Sequence, residues 1–500
     1  MQRMIFSLAI VVATPALAAT SKAEAPLLPV KADADSGKII ATFPKPDANG
    51  VAGRYIYISQ LESGLGSAPL ALDFGQATNS RLLVFRRVGK KVVAEVENPK
   101  FIASTGDLAQ QSGVGRDFPR SVIWTGDVVA TLPGGGFTVD LAPFATRDDM
   151  GIAQGLKNGG AGDYALAADL SVADPAAVRA FPKNVELGAT LTFKAASPSA
   201  EVRNIVPDQT LSLRLRHSLI ALPGPGFVSR TDPYGYAIST QKVDASAPLG
   251  RPMVTQLASR HRLEKKDPAA ARSEVVAPIV YYIDTAAPQP VRQALVDGVG
   301  WWKDAFDAAG LVNAFEVREL PPGADPLDIR YNVVNWVNRA TRGWSYGQPI
   351  VDPRTGEIVK GTVVLGSLRV RQDILIFQAL VGAHLTGTGD PSDPITAALA
   401  RIRQLGAHEV GHAIGFNHNF AASTQDRYSV MDYPAPRVTF DGQKLGLADA
   451  YGVGVGEWDK FLVRYFYGAA TDAEGRPVLA DARRRRLRFV ADSDARPISS

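Results

Sequence analysis

His408-Glu-Val-Gly-His-Ala-Ile-Gly-Phe-Asn-His418 is the stretch on which the reading of this chain turns. It has the form H-E-x-x-H-x-x-G-x-x-H. On a helix, His408 and His412 stand at i and i+4, so both imidazoles project from one face toward one point. Glu409 follows the first histidine and can reach a water at that point without being a ligand itself. Gly415 supplies the backbone freedom to end the helix and turn sharply. The turn lets His418 approach from another side, which gives three nitrogen ligands and an open fourth position. Zinc takes that arrangement in catalytic sites, with Zn–N near ~2.0–2.1 Å. The chain has only 6 histidines, and three of them fall within this one motif, which argues against coincidence. His217, His261 and His384 lack paired spacing and are expected to be structural or surface residues.

Working outward, Asp393-Pro394 opens the helix that carries the motif, with Asp at the N-cap and Pro at the first helical position. Ile395, Leu399, Ile402, Leu405 and Ile414 help form its buried stripe. Further upstream, Ile279-Val-Tyr-Tyr-Ile283 reads as a buried strand. Val291, Leu295, Val299, Trp302, Phe306 and Ala309 recur at helical spacing between Pro290 and Gly310. Phe315-Glu-Val-Arg318 and Ile329-Arg-Tyr-Asn-Val-Val-Asn-Trp336 follow as strands, an order that suggests a crossover within a mixed sheet. Residues 348–365 predict a hairpin turning at Asp352-Pro-Arg-Thr-Gly356, with Gly361-Thr-Val-Val-Leu365 a candidate edge strand for pairing with an extended peptide.

Past the histidines comes Ser429-Val-Met-Asp-Tyr-Pro434. Together with the extended motif it resembles the Met-turn of the metzincin metalloproteases. The resemblance implies that Met431 lies beneath the three histidines as an apolar floor. It also implies that Tyr433 is a zinc-proximal tyrosine of the kind astacin-like and serralysin-like members carry, and hence a catalytic candidate beside Glu409. The wider context, His412-Ala-Ile-Gly-Phe-Asn-His-Asn-Phe420, Gly456-Glu-Trp-Asp-Lys460, Arg262-Leu-Glu-Lys-Lys-Asp-Pro268, Pro278-Ile-Val-Tyr-Tyr-Ile-Asp284 and Val351-Asp-Pro-Arg-Thr-Gly-Glu357, is similar to large secreted bacterial zinc metalloproteases whose regions are catalogued mostly as domains of unknown function. The similarity runs from about residue 50 to the end. Asn419 departs from several better-known metzincin subfamilies, so their specificities do not transfer. Members of the group continue further than this chain, which implies a C-terminal part beyond residue 500.

Residues 1–18 read as a secretory signal, with Arg3 in the n-region, an apolar run from Ile5 to Ala13 and an Ala16-Leu-Ala18 cleavage site. That run is too short to span a bilayer, and no other stretch is long enough. The expectation is a secreted protein, periplasmic or extracellular, with no stable membrane anchor. There is no cysteine, so neither a disulfide framework nor a lipidated anchor is available and stability must come from core size. The net charge of +4, from 54 basic and 50 acidic residues, makes no case for nucleic-acid binding.

Residues 19–37 read as a mobile leader. Residues 38–250 favour strands: Arg54-Tyr-Ile-Tyr-Ile-Ser59, Arg81-Leu-Leu-Val-Phe-Arg86, Lys91-Val-Val-Ala-Glu-Val96 and Ala189-Thr-Leu-Thr-Phe193 are short, β-branched or aromatic and bounded by turn residues. No internal repeat and no clustered chemical groups stand out there, so this region reads as a scaffold or as a prodomain that covers the cleft. A linker at 244–250 precedes a catalytic domain over 262–470, closed by an amphipathic helix at Glu457-Trp-Asp-Lys-Phe-Leu-Val-Arg-Tyr-Phe466. Residues 471–500 form an Arg-rich C-terminal segment whose Arg483-Arg-Arg-Arg486 run reads as a solvated face.

The fold class expected is α+β: a β-rich N-terminal region followed by a metzincin-like domain with a mixed twisted sheet and a long active-site helix. The expected function is a secreted zinc endopeptidase acting on polypeptides, with one catalytic zinc on His408, His412 and His418 and Glu409 as general base. Two alternatives stay open: a zinc hydrolase of a non-peptide amide in the cell envelope, and a non-catalytic secreted zinc-binding protein.

Overall fold

The computed structural model describes residues 24–67, 70, 72–340 and 343–492. The signal at 1–18 and the first part of the leader lie outside the described residues. The fold is α+β, as the sequence predicts. Its N-terminal region is an eleven-stranded antiparallel sheet, running from Val30–Asp33 at one edge to Val172–Ala180 at the other. All four predicted strands lie inside it, within Val51–Leu61, Arg81–Val88, Lys91–Glu97 and Asn184–Lys194.

The leader is shorter than its composition suggests. Val30–Asp33 pairs with Lys38–Phe43, and Leu28 is buried in the N-terminal core. A four-residue strand is too short to show periodicity; its partner supplies the order. The N-terminal region also gathers polar groups far apart in the chain. His217 Nδ1 lies 2.7 Å from the Tyr57 hydroxyl, which accepts a 2.9 Å bond from Arg147, while Asp149 pairs with Arg147 and Arg81. His217 Nε2 donates to the Ala145 carbonyl at 2.9 Å, so this histidine is a neutral, satisfied core residue.

The second sheet has six strands. Ile279–Ile283 lies between Phe315–Glu319 and Asn332–Val337, all parallel, and Asn332–Val337 continues in parallel to Glu357–Gly366. The predicted hairpin forms, with Tyr346–Val351 antiparallel to Glu357–Gly366. The edge assignment is corrected: Gly361 to Leu365 is interior, because Thr362 to Leu365 pair with Val333 to Trp336 on one side and Gly361 to Val364 pair with Pro349 to Tyr346 on the other. The antiparallel edge is Tyr346–Val351. The predicted 291–309 helix is split into Val291–Gly300 and Trp302–Ala308.

The expected boundary near 250 does not separate the cores. Ala237 and Ala258 belong to the C-terminal core, and so do Leu479 and Ala482 from beyond 470. Arg230, fully buried, donates to Asp472 and to the Tyr465 carbonyl. Residues 471–492 are a helix, Asp472–Arg484, with a return segment; Gly475, Leu479 and Ala482 are its buried side, and Arg483 to Arg486 are exposed as expected. An apolar seam of Ile56, Ile58, Ile220, Ile329 and Ile350 joins the two sheets, and the Asp73–Arg339 pair closes it with Arg339 buried.

Burial carries a consequence for acid stability. His217 is pulled down to about 4 and His261 to about 3, in both cases chiefly because burial penalises the charged ring. A depressed folded value means the unfolded chain binds the extra proton, so stability is full above about pH 6.5 and is lost as pH falls toward 4. Going from pH 7 to 5 should cost about 2 kcal/mol for each ring. Urea midpoints across that range should show the loss, and His217→Gln should flatten it by about one proton's slope. An unchanged slope in that variant would contradict the assignment.

Candidate active site

The histidines are delivered by the helix Pro394–Ala413. Asp393 caps it, accepting from the Ile395 amide at 2.8 Å, with Pro394 in the first turn as expected. His408 and His412 meet at one face, their ring centroids 4.8 Å apart. The helix stops at Gly415, whose φ of 106° only glycine adopts readily, and a Cβ there would fall 2.0 Å from the Ser259 carbonyl oxygen. The turn rests on the 235–238 segment: the Ile238 amide donates to Gly415, and Asn417 Nδ2 donates to the Gly235 and Ala237 carbonyls. His418 is thereby swung in, and ring nitrogens of the three histidines lie within 4.8 Å of one another.

Hydrogen bonding fixes the tautomers. His408 Nδ1 lies 2.7 Å from the Val430 carbonyl, and His412 Nδ1 lies 2.7 Å from that of Phe416. A carbonyl can only accept, so both Nδ1 atoms carry the proton and both Nε2 lone pairs point inward. His418 Nδ1 lies 2.9 Å from the Asp492 carboxylate, which acts the same way. Burial, reinforced by the neighbouring rings, lowers the His408 and His412 pKa values and keeps the imidazoles neutral. His408 Nε2 is buried with no hydrogen-bond partner, and the Nε2 atoms of His412 and His418 stand 3.0 Å apart. Two lone pairs facing each other, beside an orphaned third, fit a cation held among them. The neutral three-nitrogen set is consistent with zinc.

The Met-turn sits under this triad. Met431 is fully buried, and a Cβ on Gly411 would fall 2.2 Å from its sulfur, so glycine within the motif is what lets the methionine close against the helix. Asp459 clamps the turn, accepting from the Ser429 hydroxyl and from the Val430 and Gly456 amides at 2.5, 2.9 and 2.7 Å. This gives the Gly456-Glu-Trp-Asp-Lys460 stretch its physical role. Burial raises Asp459 to about 6. The Tyr433 hydroxyl reaches within 2.7 Å of His418 Nε2 while its ring stays half exposed, at the rim of the site.

Glu409 is buried at the inner end of a cleft that it shares with Tyr433. Burial lifts its pKa to about 8, while Arg401, the Gly347 amide and Arg369 pull it down. The sequence reading missed Arg401 and also Asp492, which lies 74 positions beyond His418. Asn419 links them in space: its amide accepts from Val490 and its Nδ2 donates to the Arg488 carbonyl, anchoring the segment that ends in Asp492. Asp492→Ala should therefore lower zinc affinity on the order of 10–100-fold, the usual worth of a carboxylate that orients a metal-binding histidine. Competition with a metal-binding dye would measure it, and an unchanged affinity would remove Asp492 from the site.

Residues 390–499 match the family model described as Met-zincin, and residues 75–266 match one described as Domain of unknown function (DUF5117). No curated protein and no solved structure matches the chain. No helix among the described residues is long and apolar enough to cross a membrane. Since the Met-zincin match takes in the motif helix, the three converging histidines and the turn at Met431, the C-terminal part of this chain is a Met-zincin domain and the protein fits a metzincin-like metalloprotease.

Proposed function

We propose that the protein is a secreted zinc endopeptidase in which Glu409 is the general base and Tyr433 assists. The observation that carries this reading is the inward convergence of three neutral ring nitrogens with a buried carboxylate beside them at the end of an open cleft. A zinc ion on His408, His412 and His418 supplies Lewis acidity and lowers the pKa of water toward ~7. Glu409 takes the proton from the attacking water at its carboxylate oxygen and hands it to the departing amine. The Tyr433 hydroxyl, at the rim beside His418, donates to the oxygen on which negative charge develops. A purely structural site has no use for a buried base next to a ligand, which disfavours the binding-protein alternative.

An extended polypeptide is the substrate that suits the Tyr346–Val351 edge, which runs alongside the motif helix. Secretion is supported by the apolar run from Ile5 to Ala13 and the Ala16-Leu-Ala18 site. Cleavage of casein, compared with cell-wall fragments and repeated with a chelator, tests the reading. Turnover of the wall fragments alone would move the assignment to a non-peptide amidase.

The N-terminal region is better read as a permanent wall than as a removable prodomain. Its 235–238 segment props the turn before His418, and Ser239–Asp244 pairs with Val254–Ala258 across the exposed 244–250 loop. A chain nicked near Pro248 should stay associated on gel filtration and keep its activity on folded substrates. Fragments that separate and leave an active C-terminal piece would restore the prodomain.

A further inference from the structure

Beside Glu409 and Tyr433 lies a cavity of ≈ 430 Å³. Its walls are largely apolar, with Phe377, Leu405 and Pro434 among them, yet it is not chemically neutral. Among the described lining residues the charged ones are Arg369, Asp373, Arg401 and Glu409. Arg401 precedes Glu409 by two turns on the same helix, so both side chains leave one face. Arg401 is only 6 % exposed, and its Nη1 has no hydrogen-bond partner. Its remaining aromatic contact is the Tyr451 ring, 5.6 Å away. Arg369, on the helix Leu368–Val381, lines the same cavity and points its Nε at Asp373.

Asp373 pairs with Arg369 at 3.6 Å and attracts Arg401 as well. One carboxylate between two guanidiniums leaves one positive charge over. Ionised Glu409 adds a negative charge, which a dication at the neighbouring histidines more than offsets. A buried guanidinium nitrogen without a hydrogen-bond partner, as Arg401 Nη1 is, is costly, and an incoming carboxylate relieves that cost with charge-assisted bonds in the geometry arginine favours. The cavity also has a side. Glu409 passes its proton to the departing amine, so the space it walls receives the residue that leaves with that amine.

We propose that this cavity recognises a carboxylate on the leaving-group side of the scissile bond, with Arg401 and Arg369 as the specificity-determining residues. The inference rests on the peptidase reading given above. The carboxylate has two sources, an Asp or Glu side chain or the free C-terminus of a short peptide.

Matched peptides test both. Pairs carrying Glu or Gln just after the cleaved bond, with amidated ends, should differ by about ten- to a hundred-fold in kcat/KM, the worth of a hydrogen-bonded charge. Gln peptides with free or amidated ends test the terminal carboxylate, and a preference confined to that pair assigns carboxyl-end trimming. Arg401→Met should collapse the ratio toward one, whereas Arg401→Lys should keep part of it. Should Arg401→Met fail to melt as a folded protein, Arg369→Gln carries the same comparison.

Calorimetry of the same peptides on zinc-loaded Glu409→Gln gives a readout without turnover. Carboxylate preference in binding but no cleavage by the parent keeps the pocket and overturns the peptidase reading. Cleavage with no preference in either pair, or a ratio unchanged in both arginine variants, overturns the pocket and keeps the peptidase.

Discussion

Glu409→Gln is expected to keep its zinc and to lose on the order of 10²–10⁴ in kcat/KM, the range for a positioned general base. Glutamine preserves the length and shape of the side chain, so the packing of a residue only 3 % exposed is little disturbed. What it removes is the basic oxygen. Burial raises the carboxyl pKa while Arg401 and Arg369 lower it, and a neighbouring dication adds to the lowering, which suits a group that must take a proton and then release it. Metal content and peptide cleavage should be measured on the same preparation. Parental rates in a zinc-loaded variant would end the mechanism, and loss of zinc would make Glu409 a ligand instead.

His412→Ala should have the larger effect on metal. It removes one of three inward nitrogens, the one that faces His418 Nε2 at 3.0 Å. Zinc affinity should fall by more than the hundredfold an outer partner is worth, and cleavage should become undetectable. Stability supplies a readout independent of turnover. Zinc at a thousand times its dissociation constant should stabilise the parent by about 4 kcal/mol through mass action, and the variant hardly at all. A chelator should reverse the gain in the parent. Equal stabilisation of both proteins by zinc would place the metal elsewhere.

Much of this site is local and therefore readable along the chain. The i, i+4 pair, the glycine that ends the helix and the Asp393 cap depend on neighbours within a few turns, and each is found where the pattern predicts it. The hairpin around Asp352 is equally local. The misreadings share one cause. Gly361 to Leu365 became interior because a distant strand, Asn332–Val337, took its free side. Val30–Asp33 of the expected leader became a strand because Lys38–Phe43 was there to pair with it. His217, by contrast, is structural as expected, though only packing brings Tyr57 and Ala145 to its two ring nitrogens.

The amino-acid sequence by itself determined that His408, His412 and His418 converge with Glu409 beside them, since spacing along a helix and one glycine dictate where those groups point, while the turn at Met431 was legible through resemblance. Only the tertiary structure decided which residues serve them. Asp492 reaches His418 from 74 positions away, and Asp459 reaches Ser429 from 30. Arg401 looks like one more charge on an amphipathic helix until the walls of a cavity close around it. The support at 235–238 belongs by composition to the strand-rich half and by contact to the site. Such partnerships depend on how two sheets and their helices pack, and no local propensity records that.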